Sequence, residues 1–155
     1  MSSGIQQHEY LSEAEFRAWH GCLSFTNRAM TALDEALRAA HGISLTEFDV
    51  LITLYNSPAY RLRMSELTQR VLITASGMTQ LVTRLERSGL VSRTVDESDR
   101  RSLFAALTQA GDDRLREARP THNEVIRAHL IRRLSAKQLA ALGDIWDAIG
   151  ALPHG

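Results

Sequence analysis

The chain has 155 residues, 44% of them hydrophobic and 23% charged, a length and composition that suit one globular domain with its own core. No apolar run approaches the roughly 18 to 20 residues of a membrane span, and the first fifteen residues lack the basic and apolar regions of a signal peptide; the expected address is cytoplasmic, with no membrane partner. A single cysteine, Cys22, excludes an internal disulfide and a Cys-cluster zinc site, and a formal net charge of zero argues, by itself, against a nucleic-acid binder.

From about Glu13 to Ala40 apolar residues recur at seven-residue spacing. Phe16, Leu23, Met30 and Leu37 form one row, with Trp19 and Leu33 on the neighbouring one. This spacing predicts a long helix that packs lengthwise on another helix, and Gly42 is its expected stop. Next, "SLTE" reads as a capping box, Ser44 the N-cap and Glu47 reaching back, before the apolar set Leu45, Phe48, Leu51, Ile52 and Tyr55. "NSPAYRLR" breaks this second helix at Pro58, and a short third helix is expected over about Met64 to Val71.

Thr74 caps a fourth helix running to about Ser88. Met78, Leu81, Val82 and Leu85 occupy i, i+3, i+4 and i+7, so one face is core; Ser76, Thr79, Gln80, Thr83, Arg84 and Arg87 are left on the wet face. Gly89 ends the helix. "LVSRTV" and "SLFAAL" then read as two strands around the turn "DESDRR", a hairpin whose tip is Asp96 to Ser98. Thr108 is a further N-cap, opening a long helix that Pro120 should kink or interrupt, because proline lacks the backbone donor and clashes with the preceding turn. After Leu134 a last helix restarts with Ser135 and Gln138 as a capping box and carries the stripe Leu139, Leu142, Ile145, Trp146, Ile149 and Leu152.

The expected fold is mainly α with one small β-hairpin wing: a winged helix-turn-helix in which the span "SELTQRVLITASG" brings the fourth helix to a DNA major groove about 12 Å wide. Charge supports the placement. Residues 1–60 hold three Lys/Arg against seven Asp/Glu, residues 61–107 eight against five, and residues 108–155 seven against six, so the basic excess sits in the middle third. Of the 18 basic residues 17 are arginine, whose planar fork pairs with phosphate and guanine. Taken alone, the wet face of the fourth helix reads as a solvated surface; beside a hairpin, with no acid before Glu86, it reads as a face for base edges and phosphates.

"ISLTEFDVL", "LRMSEL", "SGMTQLVTRLERSGLVSR" and "DESDRRSLFAALTQAG" follow one another in the order of the MarR family of bacterial transcription regulators, which this chain resembles over about residues 13 to 150, including the wing pattern Asp99, Arg101, Leu107 and Thr108. The resemblance implies a single MarR-like domain over 1–155, with the helices of 13–41 and 109–152 forming the dimerisation region and 44–108 the winged DNA-binding lobe. It further implies a homodimer on a palindromic double-stranded operator, usually as a repressor. Carried over by position, Ser76, Thr79, Gln80 and Arg84 face the groove, Arg100 and Arg101 supply DNA contacts from the wing, and Asp99 braces it; apart from that carry-over, Arg61, Arg63, Arg70 and Arg93 are the candidates for additional DNA contacts. Family members often carry arginine where Ala75 and Gln80 stand here, which alters the expected phosphate and guanine contacts. The apolar surface of the two end helices exceeds what the small lobe can cover, an independent reason to expect a two-fold partner.

Many members of that family release DNA when a small aromatic acid or phenol enters a cleft between the dimer helices and the lobe. Trp19, His20, Phe25 and Asn27 on the first helix, with Tyr55 and Arg61, are the candidates for such an effector site here. An alternative reading makes Trp19 dimer core. Cys22 could serve a redox-sensing regulator, though no tyrosine lies between Tyr10 and Tyr55 to activate it. His20, His41, His122 and His129 lack a metal-ligand spacing, so neither a metal nor any other cofactor is expected. A winged-helix protein-interaction adaptor is the competing class. Catalysis is not expected, since the chain has no Gly-rich phosphate loop, nucleophile elbow or HExxH.

Overall fold

The structure, a computed structural model, describes residues 10–71, 73–95 and 102–150. Its first helix, α1 (Glu13–His41), starts at a capping box in which Ser12 accepts from the Glu15 amide and the Glu15 carboxylate accepts from Ser12 N. It stops at Gly42, whose φ of 67° is the left-handed conformation expected there. A second capping box, Ser44 with Glu47, opens α2 (Leu45–Tyr55). Asp34 fastens these two helices. One carboxylate oxygen accepts the Leu45 amide at 2.8 Å and the other pairs with Arg38 at 2.6 Å, so the acid caps the start of α2 from the flank of α1.

Pro58–Tyr60 forms a single tight turn, and Ala59 and Tyr60 both have positive φ, 52° and 55°. Two consecutive non-glycine residues in that region are uncommon. They turn the chain into a short strand, β1 (Arg61–Arg63), before α3 (Met64–Val71) and α4 (Ala75–Arg87). Two longer strands follow, β2 (Val91–Val95) and β3 (Leu103–Leu107), and the sheet order is β1-β3-β2, antiparallel throughout. The sheet therefore has three strands where the sequence suggested a two-stranded hairpin. The third is three residues long and pairs more than forty positions away, Leu62 opposite Ala105, which no local pattern encodes.

One core serves all of these elements. Leu37 of α1, Phe48, Leu51 and Leu54 of α2, Leu67 of α3, Met78 and Leu85 of α4, and Leu115 of the next helix, α5 (Gln109–His129), are fully buried. At roughly 1.5 to 3 kcal/mol per large apolar side chain, this set is the main source of the lobe's stability. α5 runs unbroken through Pro120, so the expected interruption does not occur; Pro120 lies on the exposed side of the helix, where water can bond the carbonyl that proline leaves without a donor. The chain leaves α5 at Leu130, turns over Ile131–Arg133, and restarts at the Ser135–Gln138 capping box as α6 (Ala136–Ala148). Leu152, placed by sequence at the end of the α6 stripe, lies outside the described residues. No helix is long and apolar enough to cross a membrane among the described residues.

The two ends of the chain are built differently from the lobe. On α1 the seven-residue row divides, with Leu37 and Leu33 buried but Phe16, Trp19, Leu23 and Met30 about half exposed. No residue of α6 is buried, and Ile145 and Ile149 are more than half exposed.

At the start of α5 the backbone approaches the lobe so closely that only glycine fits. A Cβ on Gly111 would lie 2.1 Å from the Leu90 carbonyl oxygen. That oxygen also accepts the Thr108 amide, so it cannot move away without cost. Gly111→Ala is accordingly expected to destabilise the chain by about 3 kcal/mol, near the upper end for overpacked sites, read from the midpoint of urea unfolding; an unchanged midpoint contradicts this close approach.

Candidate nucleic-acid interface

The sequence of α4 assigns each of its faces a different task. Thr74 accepts the Gly77 amide at 3.2 Å and sets the start of the helix. Met78, Leu81, Val82 and Leu85 are then buried in the core, as their spacing predicts. Opposite them Ser76, Thr79, Gln80, Arg84 and Arg87 are exposed and Thr83 is half-exposed. The hydroxyl protons of Thr79 and Thr83 are committed to the carbonyls of Ala75 and Thr79, at 3.0 and 2.7 Å, leaving each oxygen free to accept. Gln80 keeps both an amide donor and an acceptor exposed, the pair that adenine requires.

Arg84 is tethered only loosely. Its Nε lies 3.8 Å from Glu47 Oε1, and the Glu47 carboxylate already serves the α2 capping box. With its side chain 58% exposed, Arg84 is free to reach an outside anion. Arg93 differs. Its Nε and Nη2 donate to Glu86 Oε2 at 2.9 and 2.6 Å, and this guanidinium holds the Glu86 carboxyl below the usual carboxylate range. The sequence offered Arg93 as an additional DNA contact and gave no sign of its partner, which sits seven residues away across a helix, a turn and a strand. Asp99, Arg100 and Arg101 lie outside the described residues, between the ends of β2 and β3.

On the sheet, Arg61 and Arg63 flank the ring of Phe104, their guanidinium carbons 4.8 and 5.7 Å from its centroid. Cross-strand register puts Arg63, Phe104 and Thr94 on one face, and Leu62, Ala105 and Arg93 on the other.

Of the effector candidates, Trp19 and His20 lie exposed on α1, with His20 stacked on Phe16 at 5.3 Å and 3.3 Å from the Ser24 hydroxyl; on the same helix Phe25 is half-buried and Asn27 exposed. Tyr55 and Arg61 lie at the far end of α2 and on β1, and no hydrogen bond, ion pair or ring contact joins the two pairs among the described residues. Tyr55 instead meets residues that sequence reading missed. The Arg119 guanidinium lies 4.9 Å from its ring centroid and the Tyr60 ring 5.9 Å away, held there by the positive-φ turn. Arg119 Nε is buried without a hydrogen-bond partner among the described residues. Neither residue had a local signal, since Arg119 is one of many helical arginines and the turn conformation follows from tertiary packing. Cys22 is half-buried and free.

Nearby, α5 meets α2 where His122 stacks on Phe48 at 4.4 Å, and meets the end of α1 where His41 Nε2 lies 2.8 Å from Thr121 Oγ1 and Arg114 donates to the His41 carbonyl at 2.6 Å. Burial pushes the Asp49 carboxyl up, partly opposed by His122. The folded chain therefore binds the Asp49 proton more tightly than the unfolded chain, and this residue's contribution to stability falls as pH rises through the ordinary aspartate range. Asp49→Asn is expected to be more stable than the natural chain at pH 7 and to lose that advantage below about pH 3.5. Unfolding curves at the two pH values measure it, and equal stability at pH 7 contradicts it.

With the geometry established, comparisons place the chain among known proteins. A family model described as MarR family matches residues 41–102. The HTH-type transcriptional repressor YetL of Bacillus subtilis is 32% identical over 126 residues, 79% of this chain and 75% of that protein. YkoM, an HTH-type transcriptional regulator of the same organism, is 35% identical over 82 residues, and the match spans about half of that relative's length (52%). A MarR family transcriptional regulator of Streptomyces coelicolor, solved in complex with DNA, superposes with a TM-score of 0.84 at 33% identity, covering 93% of this chain and 95% of that one.

Proposed function

Since this chain belongs to the MarR family of transcriptional regulators, we propose that it binds a palindromic DNA operator as a homodimer, represses transcription there, and releases the DNA when a small aromatic or phenolic ligand binds. The observation that carries the DNA-binding part is the exposed face of α4. It presents Ser76, Thr79, Gln80 and Arg84 on a helix whose other face is locked in the core, and it carries no acid before Glu86. Ser76 and Thr79 suit phosphate or base acceptor and donor positions, Gln80 suits adenine, and Arg84 suits phosphate or guanine. The wing adds Arg100 and Arg101, with Asp99 as their brace; an arginine at such a tip reads minor-groove width. The Streptomyces relative solved with DNA supports the same reading.

The homodimer rests on exposed apolar surface. Phe16, Trp19, Leu23 and Met30 on α1, with Ile145 on α6 and Ile149 at its C-cap, are large hydrophobic side chains on the two end helices, and each stays about half exposed or more among the described residues. A two-fold partner covers both and sets the two α4 helices at the one-turn spacing of successive major grooves, about 34 Å. The ligand part rests on the Tyr55, Tyr60 and Arg119 cluster, where two rings and a guanidinium with an unbonded buried nitrogen suit an aromatic acid. A ligand acts by preferring a dimer whose α4 helices are misspaced.

In a shift titration against the duplex enriched from a random-sequence pool, the natural chain is expected to bind with strong salt dependence. Gln80→Ala should cost about 1 to 3 kcal/mol and relax selectivity at one base pair, whereas Arg84→Ala weakens binding. Failure to enrich any sequence at low salt overturns the regulator reading in favour of an interaction module. In sedimentation the natural chain should run as a dimer, and the double variant Ile145→Glu, Ile149→Glu as a folded monomer. Benzoate should raise the melting temperature of the natural dimer and leave Arg119→Gln unmoved; equal shifts in both remove Arg119 from the ligand site.

A further inference from the structure

Glu86 is the only acid on α4, near the end of a helix read above as facing DNA. Left alone, its charge repels phosphate. It is instead occupied by Arg93, whose Nε and Nη2 both donate to Oε2 at 2.9 and 2.6 Å, and both side chains are partly withdrawn from water, 27% exposed for Arg93 and 36% for Glu86. A pair in that setting is screened less than one at the open surface, and two donors converging on one oxygen hold the edge of the guanidinium toward the carboxylate.

What the pair joins matters more than its charge. Glu86 belongs to the last turn of α4, Arg93 to the middle of β2, and the covalent connection between them is the turn Ser88–Leu90, with Gly89 at φ 73°. Backbone bonds tie that turn back to the helix, Gly89 N to Glu86 O and Leu90 N to Leu85 O, both 2.9 Å. They stop short of β2, where the Arg93 backbone as well as its side chain hydrogen-bonds the Glu86 carboxylate. Arg93 pairs with Ala105 on the face of the sheet that also carries the buried Leu62, so its side chain extends from that face toward α4. The ion pair thus spans the angle between the helix and the strand that leads to the wing tip.

We propose that Glu86 and Arg93 form a clamp that sets the angle of the wing to the recognition helix, which makes both of them positioning residues for DNA binding and Arg93 no phosphate contact of its own. The inference rests on the DNA-binding reading above. A helix and a wing can occupy neighbouring grooves of one duplex only at a fixed mutual angle, and a lobe free to vary that angle loses specific affinity by dilution among unproductive arrangements.

The test turns on sign. By charge alone, Glu86→Gln removes a repulsive group and should tighten binding to every duplex; the clamp requires it to weaken binding to the enriched duplex roughly tenfold, the scale of a lost charged hydrogen bond, without weakening binding to an unrelated duplex. Arg93→Lys keeps the charge, loses the fork, and should show the same selective loss. The double variant Glu86→Arg, Arg93→Glu should recover most of the affinity lost by either single reversal. Glu86→Gln binding as tightly as the natural chain, or Arg93→Lys unchanged, overturns the proposal. So does a fall of about 0.9 in the salt slope for Arg93→Gln with Glu86→Gln neutral, the signature of a phosphate contact. Hydrogen exchange of the β2 amides in DNA-free protein is the independent readout. Faster exchange in Glu86→Gln and Arg93→Lys supports the clamp, and unchanged exchange overturns it. Should the natural chain enrich no duplex, the DNA-binding reading fails, and the exchange data still decide whether the pair holds the wing.

Discussion

Each face of an α-helix can be packed or presented but not both, and α4 is the element on which this division bears most heavily. Met78, Leu81, Val82 and Leu85 take the packed face and leave no freedom for the helix to roll, because rotating it by one residue exposes part of that set to water and drives Gln80 or Arg84 into an apolar core. The presented face is consequently as rigid as the core behind it. Its Thr79 and Thr83 hydroxyls are bound to the helix backbone, which orients their free acceptor positions as well.

The same rule applied to α1 gives a helix with two destinations. Its C-terminal third, through Leu33 and Leu37, belongs to the lobe and is fastened there by Asp34 on the Leu45 amide and by Arg114 on the His41 carbonyl. Its N-terminal half carries the same heptad row into solvent, and α6 repeats the pattern at the other end of the chain. Helix, cap and core thus join the exposed portion of α1 to the start of α2 without a break. The cluster of Tyr55, Tyr60 and Arg119 joins the C-terminal end of α2 and the turn after it to α5. Placing an effector there gives it leverage on the angle between lobe and end helices.

Helix boundaries were legible in the sequence because their signals are local. The Ser44–Glu47 and Ser135–Gln138 boxes, the Thr74 and Thr108 caps and the Gly42 and Gly89 stops each act within about four residues, and the structure places helix ends at all of them. The core face of α4 was legible for the same reason. β1 was not, since three residues with arginines on both sides have no period to read, and its existence depends on β3 lying beside it. Pro120 does not end its helix, since it sits on an exposed position where water can meet the freed carbonyl. Arg93 was assigned by residue type, and type cannot reveal that a carboxylate already occupies its fork.

The sequence by itself determined the helices, their caps, the division of α4 into an apolar and a polar face, and the kinship with a family of transcriptional regulators. All of these follow from residues near one another in the chain or in fixed order along it. Tertiary structure alone decided which polar residues are engaged and which are available. Arg93 is held by Glu86, Arg119 rests on Tyr55 with a buried nitrogen unbonded among the described residues, and Asp34 caps a helix other than its own. The physical reason is range: hydrogen bonds and ring contacts act over a few ångströms in space, and distance in space is fixed only when the whole chain has packed.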